Sequence, residues 1–400
     1  MRKYKLCVLL LLVGILMNGC TAGQDGISSA QSTEWSPAAS TSEPAPQEPL
    51  VATLAVCGDT MSHMPQTNDA WNGSSYDYSV MLSGAKEWTE QADFAVANLE
   101  TTFAGGPDYS GYPAFNTPDE LADNLKDMGF DLMLTANNHC MDRGYDGLCR
   151  TLDVLDARGI QHVGTYRTQE EYEAQNGIVV ADVGGISVAF LGYTYGTNGI
   201  PVAQERDFSV NRFNTDYMEN CSNPDTEKLK TDLSAARALE TDLIAVMIHW
   251  GVEYQTTQNA YQEEIASLLF ANGADLILGG HSHVPQPMEL RTVTDENGEE
   301  KQGFVCFSLG NFISAQNDRY TDTTAVLNLT LTKNMETGET EVSGYDYAPM
   351  LMLDRERGAD VRYQLMDAQE MLDAGTEDAA LNEKLQQCIT DCHTIFDAAA

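Results

Sequence analysis

The sequence predicts an α/β domain of mixed β-sheets flanked by helices, followed by a C-terminal helical segment, and three observations lead there. Five apolar runs each stop at a cluster of Asp, Glu, Asn or His: "LAVCGDTMSH", "FAVANLE", "DLMLTANNH", "LIAVMIHWG" and "DLILGGHSH". Segments of helical pattern lie between several of them. Of the seven histidines, five (His63, His139, His249, His281 and His283) stand at those run ends, and only His162 and His393 fall elsewhere. Continuous Val, Ile, Leu and Met runs suit strands buried on both faces. In open α/β sheets ligand-binding groups collect beyond the carboxyl ends of the strands, so the clusters are expected to converge.

Taken in order, the chain opens with "MRKYKLCVLLLLVGILMNGC", in which Arg2, Lys3 and Lys5 precede an apolar run from Leu6 to Met17. That run is too short for a typical spanning helix and reads as an export signal. Its end at Gly19 and Cys20 resembles the bacterial lipoprotein cleavage motif, which predicts a signal peptide over 1–20 and a lipidated Cys20; an uncleaved N-terminal anchor is the alternative. Residues 21–50 turn to Ser, Thr, Ala, Gln and Pro, a composition that buries too little apolar area to fold and predicts a disordered tether. Either way the domain is expected outside the cytoplasm, held at the membrane face.

The main domain is predicted over 51–350. Helical segments are expected at Thr117 to Gly129, Tyr145 to Gly159 and Asn259 to Gly273, between the strand-like runs. "GIVVADVGGISVAFLGYT", from Gly177 to Thr194, reads as a hairpin turning at Gly184 and Gly185. "GFVCFSLGNF" and "TTAVLNLTLTKN" are further strands, which makes the sheet mixed. From about Leu351 to the end the pattern becomes helical, and Leu381, Leu385, Cys388 and Cys392 form an apolar stripe expected to pack on the domain.

The formal charge is -38, and loss of the leader's three cations makes it more negative still. Such a surface repels nucleic acid and anionic lipid, and it repels a polyanionic substrate except where bound cations reverse the local field. Nine cysteines, less Cys7 and Cys20 of the leader, leave an odd number, so no dense disulfide framework is implied. Cys388 and Cys392 lie one helical turn apart, where a disulfide fits poorly; small buried apolar side chains are the simpler reading.

Histidine, carboxylate and Asn carbonyl groups together make a mixed N and O donor set suited to Mn, Fe or Zn, and the cysteines lack zinc-type spacing. In an extended segment His281 and His283 face the same side with Cα atoms about 6 to 7 Å apart, which serves two adjacent ions as well as one. Two-metal sites hold their ions about 3.5 to 4 Å apart and activate a water between them. Glu100, the carboxylate of "NLE", is placed to bridge such a pair.

The motifs "GDTMSH", "ADFAVANLET", "LTANNHCMDRGYDGL", "HWGVEY", "GGHSHVPQP" and "SLGNF" resemble, in order from about Leu54 to Phe312, the capsule synthesis protein CapA family. These are the poly-γ-glutamate synthesis proteins of the calcineurin-like metallophosphoesterase superfamily. The resemblance implies that superfamily's sandwich fold and two divalent metal ions. Asp59, His63 and His283 would bind the first ion, Asn138, His249 and His281 the second, with Glu100 bridging. It implies His139 as general acid or oxyanion stabiliser, oriented by Asp142. Trp250, Glu253 and Tyr254 of "HWGVEY" and Asn311 of "SLGNF" are candidate substrate contacts; for the first three, packing or solvated roles remain open.

The chain departs from the superfamily in having Glu100 where a bridging aspartate is common. It departs from the family in having Ser282 where proline is common between the last two histidines. The implied function is a membrane-tethered, extracytoplasmic lipoprotein of capsule, poly-γ-glutamate or cell-envelope polymer biosynthesis, a hydrolase or transferase attacking through a metal-bound hydroxide. Its partners would be an anionic envelope polymer or precursor, a membrane synthesis or export complex, and the membrane through the lipid anchor, with no nucleic acid. The alternative is a non-catalytic envelope component acting through partner proteins.

Overall fold

A computed structural model of the chain describes residues 47–399, except 175, 296, 297, 299, 356, 357 and 360. The expected signal peptide, Cys20 and the tether up to residue 46 lie outside the described residues. From Gln47 onward the strands are β1 (Leu50–Thr60), β2 (Phe94–Leu99), β3 (Leu132–Leu134), β4 (Gln161–Val163), β5 (Val179–Val183), β6 (Ile186–Thr194) and β7 (Leu243–His249). There follow β8 (Leu276–Gly280), β9 (Pro285–Thr294), β10 (Glu300–Leu309), β11 (Asn311–Ile313), β12 (Thr323–Lys333), β13 (Thr340–Asp354) and β14 (Tyr363–Asp367).

These strands form two mixed sheets. The first has the order β14-β13-β12-β1-β2-β3-β4, with β11 paired to β1, and the second β5-β6-β7-β8-β10-β9. In the first, β1 to β4 are parallel while β12 to β14 return antiparallel. In the second, β6, β7, β8 and β10 are parallel, and β5 and β9 are antiparallel edges.

The continuous apolar runs follow from burial of both sheet faces. Along β1, Leu54 and Val56 enter the core shared by the two sheets, whereas Ala55 and Cys57 enter the opposite layer. Along β7, Leu243, Ala245 and Met247 join the shared core, and Ile244, Val246 and Ile248 turn outward beneath helices. A period of two is therefore present but hidden, because both alternating faces need apolar side chains.

Helices cover the outer faces. Glu120–Asp127 and Gly144–Asp156 pack Leu121, Leu125 and Leu155 on the first sheet; Thr226–Arg237 and Ala260–Ala271 pack Leu229, Leu233, Ile265 and Leu269 on the second. Asn259 and Gln262 form a reciprocal capping box that starts the last of these. The hairpin turns at Gly184 and Gly185 with φ of 57° and 93°, the left-handed pair that a tight two-residue turn requires.

The C-terminal expectation needs correction. The boundary at 350 falls inside β13, which runs to Asp354, and β14 pairs with β13 before helices Ala368–Ala374 and Ala379–Phe396 begin. The tail is thus partly a sheet edge, and only then helical. Leu385, Cys388 and Cys392 of the last helix join the shared core, with Leu381 half-buried against it. The seven described cysteines are free thiols; Cys388 and Cys392 donate to the carbonyls of Met350 and Thr324. Among the described residues no helix is long and apolar enough to cross a membrane.

If the inter-sheet core carries the stability, Phe190, fully buried and stacked on Phe94 at 5.8 Å, is a decisive probe. Phe190→Ala should cost about 3–5 kcal/mol, and Val180→Ala on the exposed face of β5 about 0.5 kcal/mol or less. Urea unfolding midpoints check this; equal shifts for the two would remove the core from that role.

Candidate metal centre

The parallel strands of both sheets deliver their polar ends to one place. Asp59 lies near the end of β1, where its N–H donates to Gly310 O; Glu100 follows β2, its N–H held by Thr60 O at 3.0 Å. Asn137, Asn138 and His139 follow β3, His249 is the last residue of β7, and His281 follows β8. The approach of the second sheet needs glycine: a Cβ on Gly280 would stand 2.5 Å from Asp59 Oδ1, and one on Gly279 2.2 Å from Phe307 O. The two glycines before "HSH" are there for close approach of backbone to a ligand group.

Beyond Gly280 the chain is not extended, contrary to expectation. His281 and His283 take left-handed φ of 97° and 59°, a conformation that costs non-glycine residues energy and is found where surrounding structure enforces it. The turn spreads the two rings 6.0 Å apart, centroid to centroid, instead of aligning them on one strand face.

Three overlapping donor groups result, with ligand atoms within 4.8 Å of one another: Asp59, Glu100 and His283; Glu100, His249 and His281; and Glu253, His281 and His283. His249 Nε2 lies 3.4 Å from Glu100 Oε1 and His283 Nδ1 4.0 Å from Glu100 Oε2. Both Glu100 oxygens are buried without a hydrogen-bond partner, as is His281 Nδ1. A buried carboxylate left so costs several kcal/mol or more unless positive charge meets it. The donor set therefore fits divalent cations at Glu100.

Charge is already redistributed within the cluster. Burial disfavours the Asp59 carboxylate, yet the hydrogen bond from His283 and the charges of His249 and His283 hold its pKa below the ordinary value. Burial likewise opposes protonation of His283, but Glu100 and Asp59 outweigh it and push its pKa up to about 9. His281, buried beside His249 and His283, is driven well below the usual histidine range.

Asparagines that the sequence did not mark as functional hold this arrangement. Asn98 Nδ2 donates to Asp59 Oδ1 at 2.8 Å and lies 3.1 Å from His249 Nδ1, bridging the sheets. Asn137 Nδ2 donates to Asn98 Oδ1 and to Leu99 O, and its Oδ1 accepts the His139 N–H. Both belong to the motifs "FAVANLE" and "LTANNH", which was the available signal. Asn138 Oδ1 lies 2.9 Å from His249 Nε2, beside the second group.

His139 Nδ1 stands 2.8 Å from Asp142 Oδ2, which also accepts the Phe115 N–H. Burial lowers the His139 pKa, but Asp142 and the charge of Glu100 raise it further, leaving it above the ordinary value. Its Nε2 faces Asn198 Nδ2 at 3.4 Å. Asn198, and Tyr195 whose ring centroid is 4.5 Å from that of His281, come from the loop after β6, where no sequence pattern pointed.

Three predicted residues are placed differently from the donor groups. His63 is adjacent but outside the donor groups: its Nδ1 accepts the Ala315 N–H at 3.3 Å, its ring lies edge-on to Phe115, and burial with the charge of His283 lowers its pKa to about 4. Trp250 is fully buried, donates to Phe307 O and stacks on Phe307, so it is core and not a substrate contact. Asn311 is buried with Oδ1 3.0 Å from His283 Nδ1, a positioning contact and not a substrate one. Glu253 and Tyr254 do stand at the solvent rim, Tyr254 with φ of 63°, half exposed, its ring 6.0 Å from that of His283.

The model of the bacterial capsule synthesis protein PGA_cap matches residues 53–316. The PGA biosynthesis protein CapA of Bacillus subtilis (strain 168) is 28% identical over 258 residues, which cover 64% of this chain and 62% of that protein. The capsule biosynthesis protein CapA of Bacillus anthracis is 30% identical over 220 residues, 54% of this chain and 48% of that one. The matched part thus spans less than two thirds of either relative's length. Among solved structures, the calcineurin-like phosphoesterase YfkN from Bacillus subtilis covers 86% of this chain and 98% of its own, with TM-score 0.40 and 13% identity.

Asn98 gives a direct test of the framework. Asn98→Leu removes the donor shared by Asp59 and His249 and should weaken Mn²⁺ or Zn²⁺ binding about 10–100-fold, read by calorimetric titration. Unchanged affinity would mean that the cross-sheet amide does not position ligands.

Proposed function

The chain belongs to the bacterial capsule synthesis protein family PGA_cap, and from that premise we propose a metal-dependent hydrolase or transferase of capsule, poly-γ-glutamate or other envelope-polymer metabolism. Glu100 carries the reading: two buried carboxylate oxygens without hydrogen-bond partners, shared by two donor groups, are what a bridging ligand needs. Two divalent ions of the Mn, Fe or Zn class, held by Asp59, Glu100, Asn138, His249, His281 and His283, would polarise a phosphoryl or carbonyl oxygen and supply an activated water.

The chain's own residues do the rest. Asp142 accepts the Nδ1–H of His139 and, with the charge of Glu100, favours the doubly protonated ring, so that Nε2–H is the proton handed to the leaving group and the ring is left neutral. Phe115 stands edge-on to both His63 and His139, at 5.2 and 4.8 Å, and packs between the two imidazoles. Asn98 and Asn311 hold His249 and His283 without adding charge. Because the chain carries -38 formal charges, an anionic polymer can dock only where cations reverse the field, which makes the metal centre itself the port.

The chain, supplied with Mn²⁺, is to be assayed on a phosphoester panel and on polyglutamate. His139→Ala should cut turnover about 10²–10⁴-fold while two ions still bind, and Glu100→Ala should lose both turnover and metal. Turnover insensitive to both substitutions would exclude this centre as its source. Two bound ions without turnover on any substrate would favour a non-catalytic role in a membrane synthesis or export complex.

We further propose that the chain is anchored outside the cytoplasm through a lipidated Cys20, since the leader ends in Gly19 and Cys20. Cys20→Ser should abolish incorporation of labelled fatty acid and shift the chain from the membrane to the soluble fraction. Labelling that persists in the variant defeats the proposal.

A further inference from the structure

We propose that the rings of Trp71, Tyr76, Tyr109, Tyr112 and Tyr254 form an aromatic track beside the metal centre that binds an uncharged stretch of polysaccharide, sugar faces laid on ring faces. This rests on the reading above for the reaction at the metals and names its substrate class; the binding itself uses no ion.

Among the described residues, the Trp, Tyr and Phe side chains exposed by about half or more are Trp71 (47%), Tyr112 (74%) and Tyr254 (50%). All three come after strand ends that deliver donors to the centre. Trp71 and Tyr76 flank a turn after the short helix Met64–Asp69, which follows β1; Tyr109 and Tyr112 lie on the loop after β2, and Tyr254 on the loop after β7. The Trp71 ring is 4.9 Å from that of Tyr76, and Tyr76 is 5.3 Å from Tyr109, centroid to centroid. Gly111, just before Tyr112, packs on the chain at His63 and Met64, where a Cβ would stand 2.8 Å from Met64 N. Partial burial raises the Tyr254 pKa and the charges of Glu253, Asp318 and Tyr112 raise it further, so Tyr112 lies within electrostatic reach of Tyr254. The Tyr254 ring is in turn 6.0 Å from that of His283, which joins the track to the centre.

Charge decides what covers these rings. Their exposed sequence neighbours Asp77, Asp108 and Glu253 are carboxylates, Arg150 is held by Asp119 at 2.8 Å, and Arg143 donates to Ser110 Oγ and Ala114 O within the loop. A polyanion is repelled along such a track. A pyranose ring fits it: the C–H face, apolar and faintly positive, lies on the negative face of an aromatic ring, while the hydroxyls at its edge hydrogen-bond to polar groups nearby. The turn between Trp71 and Tyr76 offers Asn72, Ser74 and Ser75, all exposed, for those hydroxyls. Tilts of 55° and 81° between successive rings leave no parallel pair to clamp a single planar base, whereas rings set in succession suit a chain. A phosphoester or carbonyl group of that chain would meet the metal centre while its sugars lie on the track.

The test is calorimetric titration of the chain, with and without chelator, using neutral tetrasaccharides of glucose, galactose, mannose and N-acetylglucosamine, polyglutamate, and phosphatidylcholine vesicles. At least one tetrasaccharide should bind, equally well under chelation. Trp71→Ala and Tyr112→Ala should each weaken it about three- to tenfold, the worth of one ring contact, and Trp71→Tyr, which restores a ring, should recover most of the loss. No binding of any tetrasaccharide, or binding indifferent to both alanine substitutions, would overturn the proposal. Polyglutamate or vesicle binding that these substitutions abolish, with no sugar bound, would give the track to a polyanion or a membrane surface instead. A chain that takes up no metal ion or turns over no substrate would defeat the reading of the centre while sugar binding, and with it this assignment, still stood.

Discussion

A carboxylate with no hydrogen-bond partner sits at the centre of this protein, and the surrounding structure is arranged around it. Glu100 is fully buried, and both of its oxygens lack a hydrogen-bond partner among the described residues. Such a group is tolerated only when positive charge is near. His249 and His283 lie 3.4 and 4.0 Å from it, and bound cations would complete the neutralisation. The cost of Glu100 thus ties the stability of the strand ends to the positive charge they gather.

Because Glu100 follows β2 of one sheet while His249, His281 and His283 come from the other, the distance between donor atoms is set by inter-sheet packing. Leu134 and Val56 against Met247 and Leu278 make up part of that core. Gly279 and Gly280 then allow β8 to approach Phe307 and Asp59 more closely than any side chain would permit. A well-packed interior does not deform continuously, so this core acts as a gauge for the ligand geometry.

Neutral amides do much of the positioning. Asn98, Asn137 and Asn311 each bond at least one group of the centre, and none adds charge to a chain that already carries a large negative excess. Carboxylates in these places would have competed for the same cations.

The sequence alone determined the fold class, the five strands that end in polar clusters and most donor residues. Burial of both sheet faces writes long apolar runs, and the need for N and O donors at strand ends writes histidine, carboxylate and asparagine immediately after them. That Asp59, Glu100, Asn138, His249, His281 and His283 would converge was legible for that reason, while their expected roles as ligands came from the resemblance to the family. What spacing could not convey was which way each side chain turns. His63 shares the pattern yet spends its Nδ1 on Ala315, Trp250 follows His249 yet packs in the core, and Asn311 supports His283 from a strand paired to β1. The left-handed turn at His281 and His283 and the opening of the C-terminal segment with the end of β13 and then strand β14 were also decided by tertiary contacts. A ring nitrogen's partner lies across the fold, tens or hundreds of residues away, and only packing of the two sheets brings it there.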